Sequence, residues 1–227
     1  MTTTKKAQPG KEAAETRRGR GRPQLRSDEE TRAVILEAAR HEFASSGYAA
    51  TNMESVARAA GVSTKTLYRL IPNKAALFEA MITDRIDRFA AVVRLKACDG
   101  SDINAALCEA LIICGELLLD GEVIALQRMM MAEGEKFPEV AETFYHKAIK
   151  RTESTLASWL LSQHKRALIR IGDANDAAGM LLGMLALQPQ RAVLFGHAAP
   201  PNRKEIERRA RVAAELFLRG CAVDRWH

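Results

Sequence analysis

The chain has 227 residues, of which 47% are hydrophobic, 27% charged and 5% aromatic. This length and mixture predict one large or two small globular domains with a substantial core, and the few aromatic, Gly and Pro residues disfavour a β-sandwich or β-barrel. No apolar run reaches the roughly 20 residues that a membrane span needs, and the first residues lack the apolar segment of a secretory signal. We therefore expect a cytoplasmic protein with no membrane partner.

The positive charge is concentrated at the start of the chain. Residues 1–26, here called the N-terminal arm, hold eight Lys or Arg and two Glu, so they account for the whole net charge of +6. Their composition predicts disorder. A basic arm on a neutral body favours an anionic partner, either nucleic acid or acidic lipid.

Metal and catalytic motifs are missing from the sequence. Cys98, Cys108, Cys114 and Cys221 form no C-x-x-C pair, and no two His stand at helical ligand spacing, so we expect reduced thiols, no metal and no cofactor. Residues 83–227 contain no nucleophile elbow, phosphate-binding loop or H-E-x-x-H motif. We predict no catalytic residue, and we do not expect an enzyme.

Apolar spacing and capping residues predict an all-α architecture of about nine helices. Ser27 and Glu30 form a capping box for the first helix, which Gly47 ends. Further helices are predicted from Thr51 or Asn52 to Gly61, over 64–70, from Asn73 to Lys96, over 102–119 and 122–134, from Pro138 to about Gln163, from Asp173, and from about Arg203 to Arg219. The helices are short before residue 80 and long after it. The predicted parts are the arm (1–26), a first domain (27–80) and a second (81–227).

Residues 52–70, NMESVARAAGVSTKTLYRL, have the pattern of a helix-turn-helix. Gly61 can adopt the positive φ that a tight reversal requires, and the small Ala57 lets two helices approach closely. The second helix then presents small polar and basic side chains near its N-terminus, which suits a DNA major groove.

Each polar residue of this segment has an expected role. Lys65 could reach guanine O6 and N7, while Thr64 and Thr66 could contact base edges. Ser63 caps the helix whose N-terminus faces phosphate, and Arg69 points away from the buried face. Residues nearer the rim are expected to contact phosphate oxygens, namely Thr51, Tyr68 and Lys74. The alternative is a helical hairpin whose polar face is only solvated.

The stretch FASSGYAATNMESVARAAGVSTKTLYRLIPNKAALFEAMI, residues 43–82, resembles the N-terminal domain of the tetracycline-repressor-like (TetR) family. The resemblance covers residues 27–82 and departs at Ile71, where the family usually has an aromatic residue. It implies a homodimer that places one recognition helix per subunit in each half of a palindrome. It also implies a C-terminal domain that binds a small effector and dimerises.

The N-terminal arm contains Arg17-Arg18-Gly19-Arg20-Gly21-Arg22-Pro23, which looks like an AT-hook core. An extended G-R-P segment can lie in a narrow minor groove, where Arg20 and Arg22 would meet a deep negative potential. The alternative is a solubilising tail that attracts phosphate without specificity.

Residues 125–145 resemble the C-terminal domain of the AefR-like subgroup, in which a basic residue, an apolar stretch and Phe-Pro-Glu precede a long helix. Effector pockets between helices are mostly apolar, so we expect a largely apolar small-molecule effector. The candidate pocket residues, which could equally be plain core, are Met81, Arg85, Phe89, Ile113, Leu117, Met129, Met130, Phe144 and Trp159. Arg128 is a further candidate, since a charge among apolar residues needs a partner: Glu133, Glu116 or an acidic effector.

Two helices are candidates for the dimer interface. Gly179 and Gly183 form a G-x-x-x-G face that permits close backbone approach, either to a second subunit or within the chain. Family resemblance adds the last helix, with Ile206, Ala210, Ala213 and Phe217. The sequence thus predicts a ligand-responsive, DNA-binding repressor. The alternatives are an architectural DNA-binding protein without effector control and a small-molecule binder or enzyme that has lost DNA binding.

Overall fold

In the computed structural model, residues 26–96 and 102–221 are described, and within these ranges the chain forms nine continuous helices and no strands. The helices are α1 (Asp28–Ala50), α2 (Met53–Ala59), α3 (Thr64–Leu70), α4 (Lys74–Lys96), α5 (Ile103–Leu118), α6 (Gly121–Glu133), α7 (138–165), α8 (Ala174–Leu194) and α9 (Arg203–Cys221). The predicted all-α class is confirmed. Within this described part of the chain, no helix is long and apolar enough to cross a membrane.

Helices α1 and α4 contact each other through a small aromatic core. The rings of Phe43, Tyr48 and Phe78 lie 5.3–5.9 Å apart, and Phe43 is fully buried. The regular part of α1 ends at Gly47, whose φ of 83° is outside the helical range, and Gly61 takes a φ of 66° in the turn between α2 and α3. Both breaks follow from the ease with which glycine adopts positive φ.

The longer helices pack into a bundle in which α9 lies along α5. Gly115 of α5 permits this close approach, because a Cβ there would lie 2.6 Å from Ile206 Cγ2 of α9. Ala210 and Ala214 of α9 are fully buried. The small side chains on this face therefore serve contacts within the subunit.

Helix α7 has a π-helical segment in its middle. Its parts are Pro138–Phe144, the π-helical Tyr145–Lys150 and Arg151–Lys165. Turns of this wider kind are rare in proteins, and those that occur are often found at functional sites. The segment lies beside a partly open cavity that is described below.

Candidate functional site

Helix α3 is held in place by one buried anchor and one N-terminal cap. Leu67 is fully buried, and the Ser63 Oγ accepts a hydrogen bond from the Thr66 backbone N–H at 3.0 Å. The Thr66 hydroxyl lies 2.8 Å from the same oxygen. Ser63 is thus the cap that was predicted, and Thr66 is partly occupied in supporting it.

The outer face of α3 is open to solvent. Lys65 is exposed, Thr64 is half-buried and Tyr68 is 45% exposed. These three side chains surround the outer side of a helix whose inner side is anchored by Leu67. A helix with this presentation can enter a major groove, since its polar residues project while its backbone stays fixed.

Arg69 is paired within the chain. Its two terminal nitrogens donate to the two carboxylate oxygens of Asp28, at 2.7 Å each, and so connect α3 to the start of α1. This bidentate bond lowers the pKa of the Asp28 carboxyl. The guanidinium that was expected to face DNA therefore has a carboxylate partner beside the recognition helix.

The position of Thr51 does not fit the phosphate contact that was predicted for it. Its side chain is only 2% exposed, and its hydroxyl donates to the carbonyl oxygens of Gly47 at 2.7 Å and Glu42 at 3.2 Å. A buried hydroxyl that closes the end of α1 cannot reach a phosphate. Sequence spacing did not reveal this, because a threonine before a helix has the same pattern in both roles.

Lys74 also serves the end of α1. Its Nζ donates to the carbonyl oxygens of Tyr48 at 2.7 Å, Thr51 at 2.9 Å and Ala49 at 3.3 Å, and it lies 4.5 Å from the centre of the Tyr48 ring. Partial burial lowers the pKa of this ammonium group. All three of its donors are used, so the predicted direct phosphate bond is corrected to a helix-capping role.

The arm residues Arg20 and Arg22 lie outside the described residues. Their proposed place in a minor groove stays a prediction.

Helices α1 and α6 form a contact that the sequence analysis did not identify. Glu133 Oε2, at the end of α6, accepts a hydrogen bond from the Ala49 backbone N–H at 2.7 Å. The Phe137 ring lies 4.9 Å from that of Tyr48. At the other end of α6, Glu122 contacts Arg40 and His41 of α1. The long-helix bundle is therefore joined to α1 of the first domain through α6.

A partly open cavity of about 40 Å³ lies between α4, α5, α6 and α7. Three of the predicted pocket residues line it: Arg85, Leu117 and Phe144. Its other lining residues were not predicted: Ile82, Ile86, Leu118, Val123, Leu126, Gln127, Ala148, Ile149 and Thr152. Hydrophobic periodicity cannot separate these positions from ordinary core, because both are apolar and inward-facing.

The remaining predicted pocket residues do not line this cavity. Met81, Phe89, Ile113, Met129 and Trp159 are each less than 10% exposed and lie in the core, and Met130 is half-buried at its edge. Their place in a ligand site stays a prediction. A wider groove of about 620 Å³ between α1 and α4 is open and lined by several charged residues, so it does not fit an apolar effector.

Arg128 has neither of its predicted carboxylate partners. It is exposed and donates to the carbonyl oxygens of Val193 at 3.0 Å and Leu194 at 3.4 Å, at the end of α8. Glu133 binds Ala49, and Glu116 pairs with Arg203 at 3.0 Å. A cation at a helix C-terminus satisfies carbonyls that otherwise lack partners, which corrects the pocket role.

The predicted dimer residues are divided between two faces. Ile206, Ala210 and Ala213 are at most 5% exposed and contact the subunit's own core, which corrects their assignment. Phe217 is half-buried against that core. Gly179 and Gly183 have open space where a Cβ would project. The exposed apolar side chains of α8 and α9 are Met180, Met184, Leu187, Val212 and Leu216, each at least 40% exposed. We call these five residues the α8–α9 face.

Two family descriptions match the chain. Residues 35–81 match "Bacterial regulatory proteins, tetR family", and residues 106–221 match "AefR-like transcriptional repressor, C-terminal domain". The second match covers half of the chain, and the first contains α2, α3 and most of the residues predicted to contact DNA.

Individual relatives agree with these families. The HTH-type transcriptional repressor ComR of Escherichia coli is 33% identical over 94 residues, which cover 41% of this chain and 43% of that protein. A TetR-family regulator from Mesorhizobium loti matches 88% of this chain and its own full length, with 26% identity and a TM-score of 0.75. Salmonella enterica GusR matches 86% of this chain and 98% of its own, with 28% identity and a TM-score of 0.62. The chain therefore belongs to the TetR family of DNA-binding transcriptional regulators.

Proposed function

We propose that the protein is a repressor that binds a palindromic operator as a homodimer and leaves DNA when a small, largely apolar effector enters the bundle. The observation that carries this proposal is the presentation of α3. Lys65 and Tyr68 are exposed on one side of the helix, and Leu67 anchors the other. The name of the E. coli relative, a transcriptional repressor, supports repression over activation.

Dimerisation is supported by the α8–α9 face. Exposed Met and Leu side chains gather on these two adjacent helices, and an exposed apolar cluster is typical of an interaction surface. A C2 pair of these faces would form a four-helix interface. Two recognition helices reach successive turns of the major groove when they lie about 34–36 Å apart, so the geometry of this interface determines DNA binding.

Effector control is supported by the two connections between the bundle and the DNA-binding helices. Helix α4 begins beside α3 and extends into the wall of the cavity, where it contributes Arg85. Helix α6 contributes Leu126 to the same cavity and ends at the Glu133–Ala49 bond. A ligand that binds only a widened cavity would shift both helices, and it acts through its different affinity for the two conformations.

The test is a mobility-shift titration with DNA that flanks the gene encoding the protein, followed by a screen of small organic compounds for release. We expect one retarded complex with two subunits per operator and dose-dependent release by at least one compound. Failure to bind any selected DNA would contradict the proposal. Binding that no compound releases would contradict effector control and favour the architectural alternative.

A further inference from the structure

Arg85 is the charged residue in the wall of the partly open cavity between α4, α5, α6 and α7. It projects from α4 among apolar side chains that include Ile82, Ile86 and Phe144. Its side chain is 24% exposed, so most of a permanently charged group lies away from water. Such a charge requires compensation by a carboxylate or by hydrogen-bond acceptors.

The compensation that Arg85 has is incomplete. One terminal nitrogen lies 3.2 Å from Asp120 Oδ1. That oxygen also accepts the backbone N–H groups of Glu122 at 3.0 Å and Val123 at 3.1 Å, because Asp120 is the N-cap of α6. The Arg85 Nε is shielded from solvent and has no hydrogen-bond partner within the described part of the chain. This N–H therefore lacks an acceptor, and an additional acceptor can reach it only when the surrounding side chains move apart.

The cavity adjoins a larger space at the protein surface. A surface trough of about 260 Å³ between α7 and α8 shares Leu118, Gln127, Ile149 and Thr152 with the cavity wall. Gly179 and Gly183 line the far side of this trough and leave it unfilled. A molecule with one polar end at Arg85 could therefore place a long apolar body past Ile149 and into the trough.

We propose that the effector is a carboxylic acid with an extended apolar body, and that Arg85 binds its carboxylate. This inference rests on the proposed effector response. A carboxylate can accept bonds from the Nε and a terminal nitrogen of one guanidinium together. The cavity of about 40 Å³ holds no more than the headgroup region of such a molecule in this conformation. The ligand therefore selects a widened form, and the π-helical segment that contains Ala148 and Ile149 is the part of the wall that changes.

The proposal gives Asp120 a part in the response. The ligand's carboxylate competes with Asp120 for Arg85 and thereby breaks the link between α4 and the N-terminus of α6. The other end of α6 remains bound to Ala49 through Glu133. Helices α4 and α6 then move independently, which changes the spacing of the recognition helices in a dimer.

The test compares decanoate with decanol, two molecules with the same chain and different headgroups. Calorimetry with the full chain, below the micellar concentration, measures both affinities for the wild type and three variants. Arg85→Gln removes the positive charge from the cavity wall. Asp120→Asn weakens the ion pair with Arg85, with which the ligand's carboxylate competes. Arg88→Gln is the matched control, because Arg88 is one turn away on α4, pairs with Asp84 and does not line the cavity. Thermal unfolding of each variant reports whether it folds.

The wild type and Arg88→Gln should bind decanoate about tenfold or more tightly than decanol, because a charged hydrogen-bonded pair is lost with the alcohol. Arg85→Gln should remove this preference and leave decanol binding unchanged, whereas Asp120→Asn should strengthen decanoate binding alone. Equal binding of the two molecules by the wild type, a preference that survives Arg85→Gln, or binding of neither would overturn the proposal. Operator binding measured on the same samples reports separately on the DNA-binding part of the proposed function, and its absence would contradict that part.

Discussion

The carboxylate of Glu133 accepts the backbone N–H of Ala49 at 2.7 Å, and the same carboxylate occupies the space beside Gly47. A Cβ on Gly47 would lie 2.4 Å from Glu133 Oε1. The end of α6 thus rests directly on the break in α1 at Gly47, six residues before α2 begins at Met53. The stretch of residues 125–145 that resembles the AefR-like C-terminal domain contains Glu133 and Phe137, but only the structure shows that they contact the DNA-binding domain.

Gly47→Ala should destabilise the protein more than Gly61→Ala. Both glycines have positive φ, which costs an alanine about 1–3 kcal/mol, but of the two only Gly47 faces an occupied space. Chemical denaturation of the two variants measures the difference. Adding Glu133→Ala should recover part of the loss in the Gly47 variant and none in the Gly61 variant. Equal recovery in both would contradict the contact.

Lys65→Ala should weaken specific operator binding by about 1–3 kcal/mol, or roughly 5- to 150-fold, if Lys65 contacts a guanine. Competition titrations against an unrelated duplex measure the loss of discrimination. Lys165→Ala is the matched control, because this exposed lysine lies at the end of α7, outside the helix-turn-helix. An equal loss of specific and unspecific binding would show instead that Lys65 contacts only phosphate.

Deletion of residues 1–24 should weaken operator binding and make its salt dependence shallower, because these residues carry +5 of the net charge of +6. Each phosphate contact that is lost reduces the slope of log K against log salt by about 0.9. Binding measured from low to moderate salt gives the slope. If the full chain and the deletion variant have the same slope, the arm does not contact DNA.

Leu216→Glu should shift the protein toward monomers, since it places a charge within the α8–α9 face. Met131→Glu is the matched control, because Met131 is 75% exposed but lies on α6, away from this face. Sedimentation equilibrium measures both variants. We expect the dissociation constant of the dimer to increase at least tenfold for Leu216→Glu, because burial of an unpaired charge costs more than about 1.4 kcal/mol. The dissociation constant of Met131→Glu should equal that of the wild type. Identical assembly of the two variants would contradict this interface.

The free energy of unfolding should fall as the pH rises above about 9, because the thiol of Cys114 ionises more easily in the unfolded chain than in the folded protein. Complete burial raises the pKa of its thiol to about 12. The unfolded chain releases this proton first, so the native state loses about 1.4 kcal/mol per pH unit from this group between the two pKa values. The difference in unfolding free energy between the wild type and Cys114→Ala, measured under reducing conditions from pH 8 to 10, reports the effect. A constant difference would contradict it.

Local sequence signals predicted the ends of the helices well where a single residue determines the backbone conformation. Ser27 and Glu30 form the predicted capping box, Asp173 caps α8, and Gly61 adopts the predicted positive φ. These features depend on neighbours within a few residues. The helix-turn-helix was predictable for the same reason, and also because its family pattern is continuous.

Long-range partners were less predictable. Arg128 and Lys74 bind carbonyl groups at the ends of helices that are distant along the chain, and no local pattern identifies these acceptors. On α9 the sequence offers two apolar faces, one with Ala210 and one with Leu216. Hydrophobic periodicity cannot tell which of the two faces packs on the subunit's own core. The structure shows that the face with Ala210 does, because Gly115 of α5 has no side chain and α9 can approach it closely.

Protection of guanine N7 from methylation tests the central claim, that α3 enters the major groove of an operator bound by a dimer. We predict two protected segments whose centres lie about 10 bp apart, or at a multiple of that spacing, and loss of this protection with Lys65→Ala but not with Lys165→Ala. Protection that is absent, confined to a single segment, or unchanged by Lys65→Ala would contradict the account.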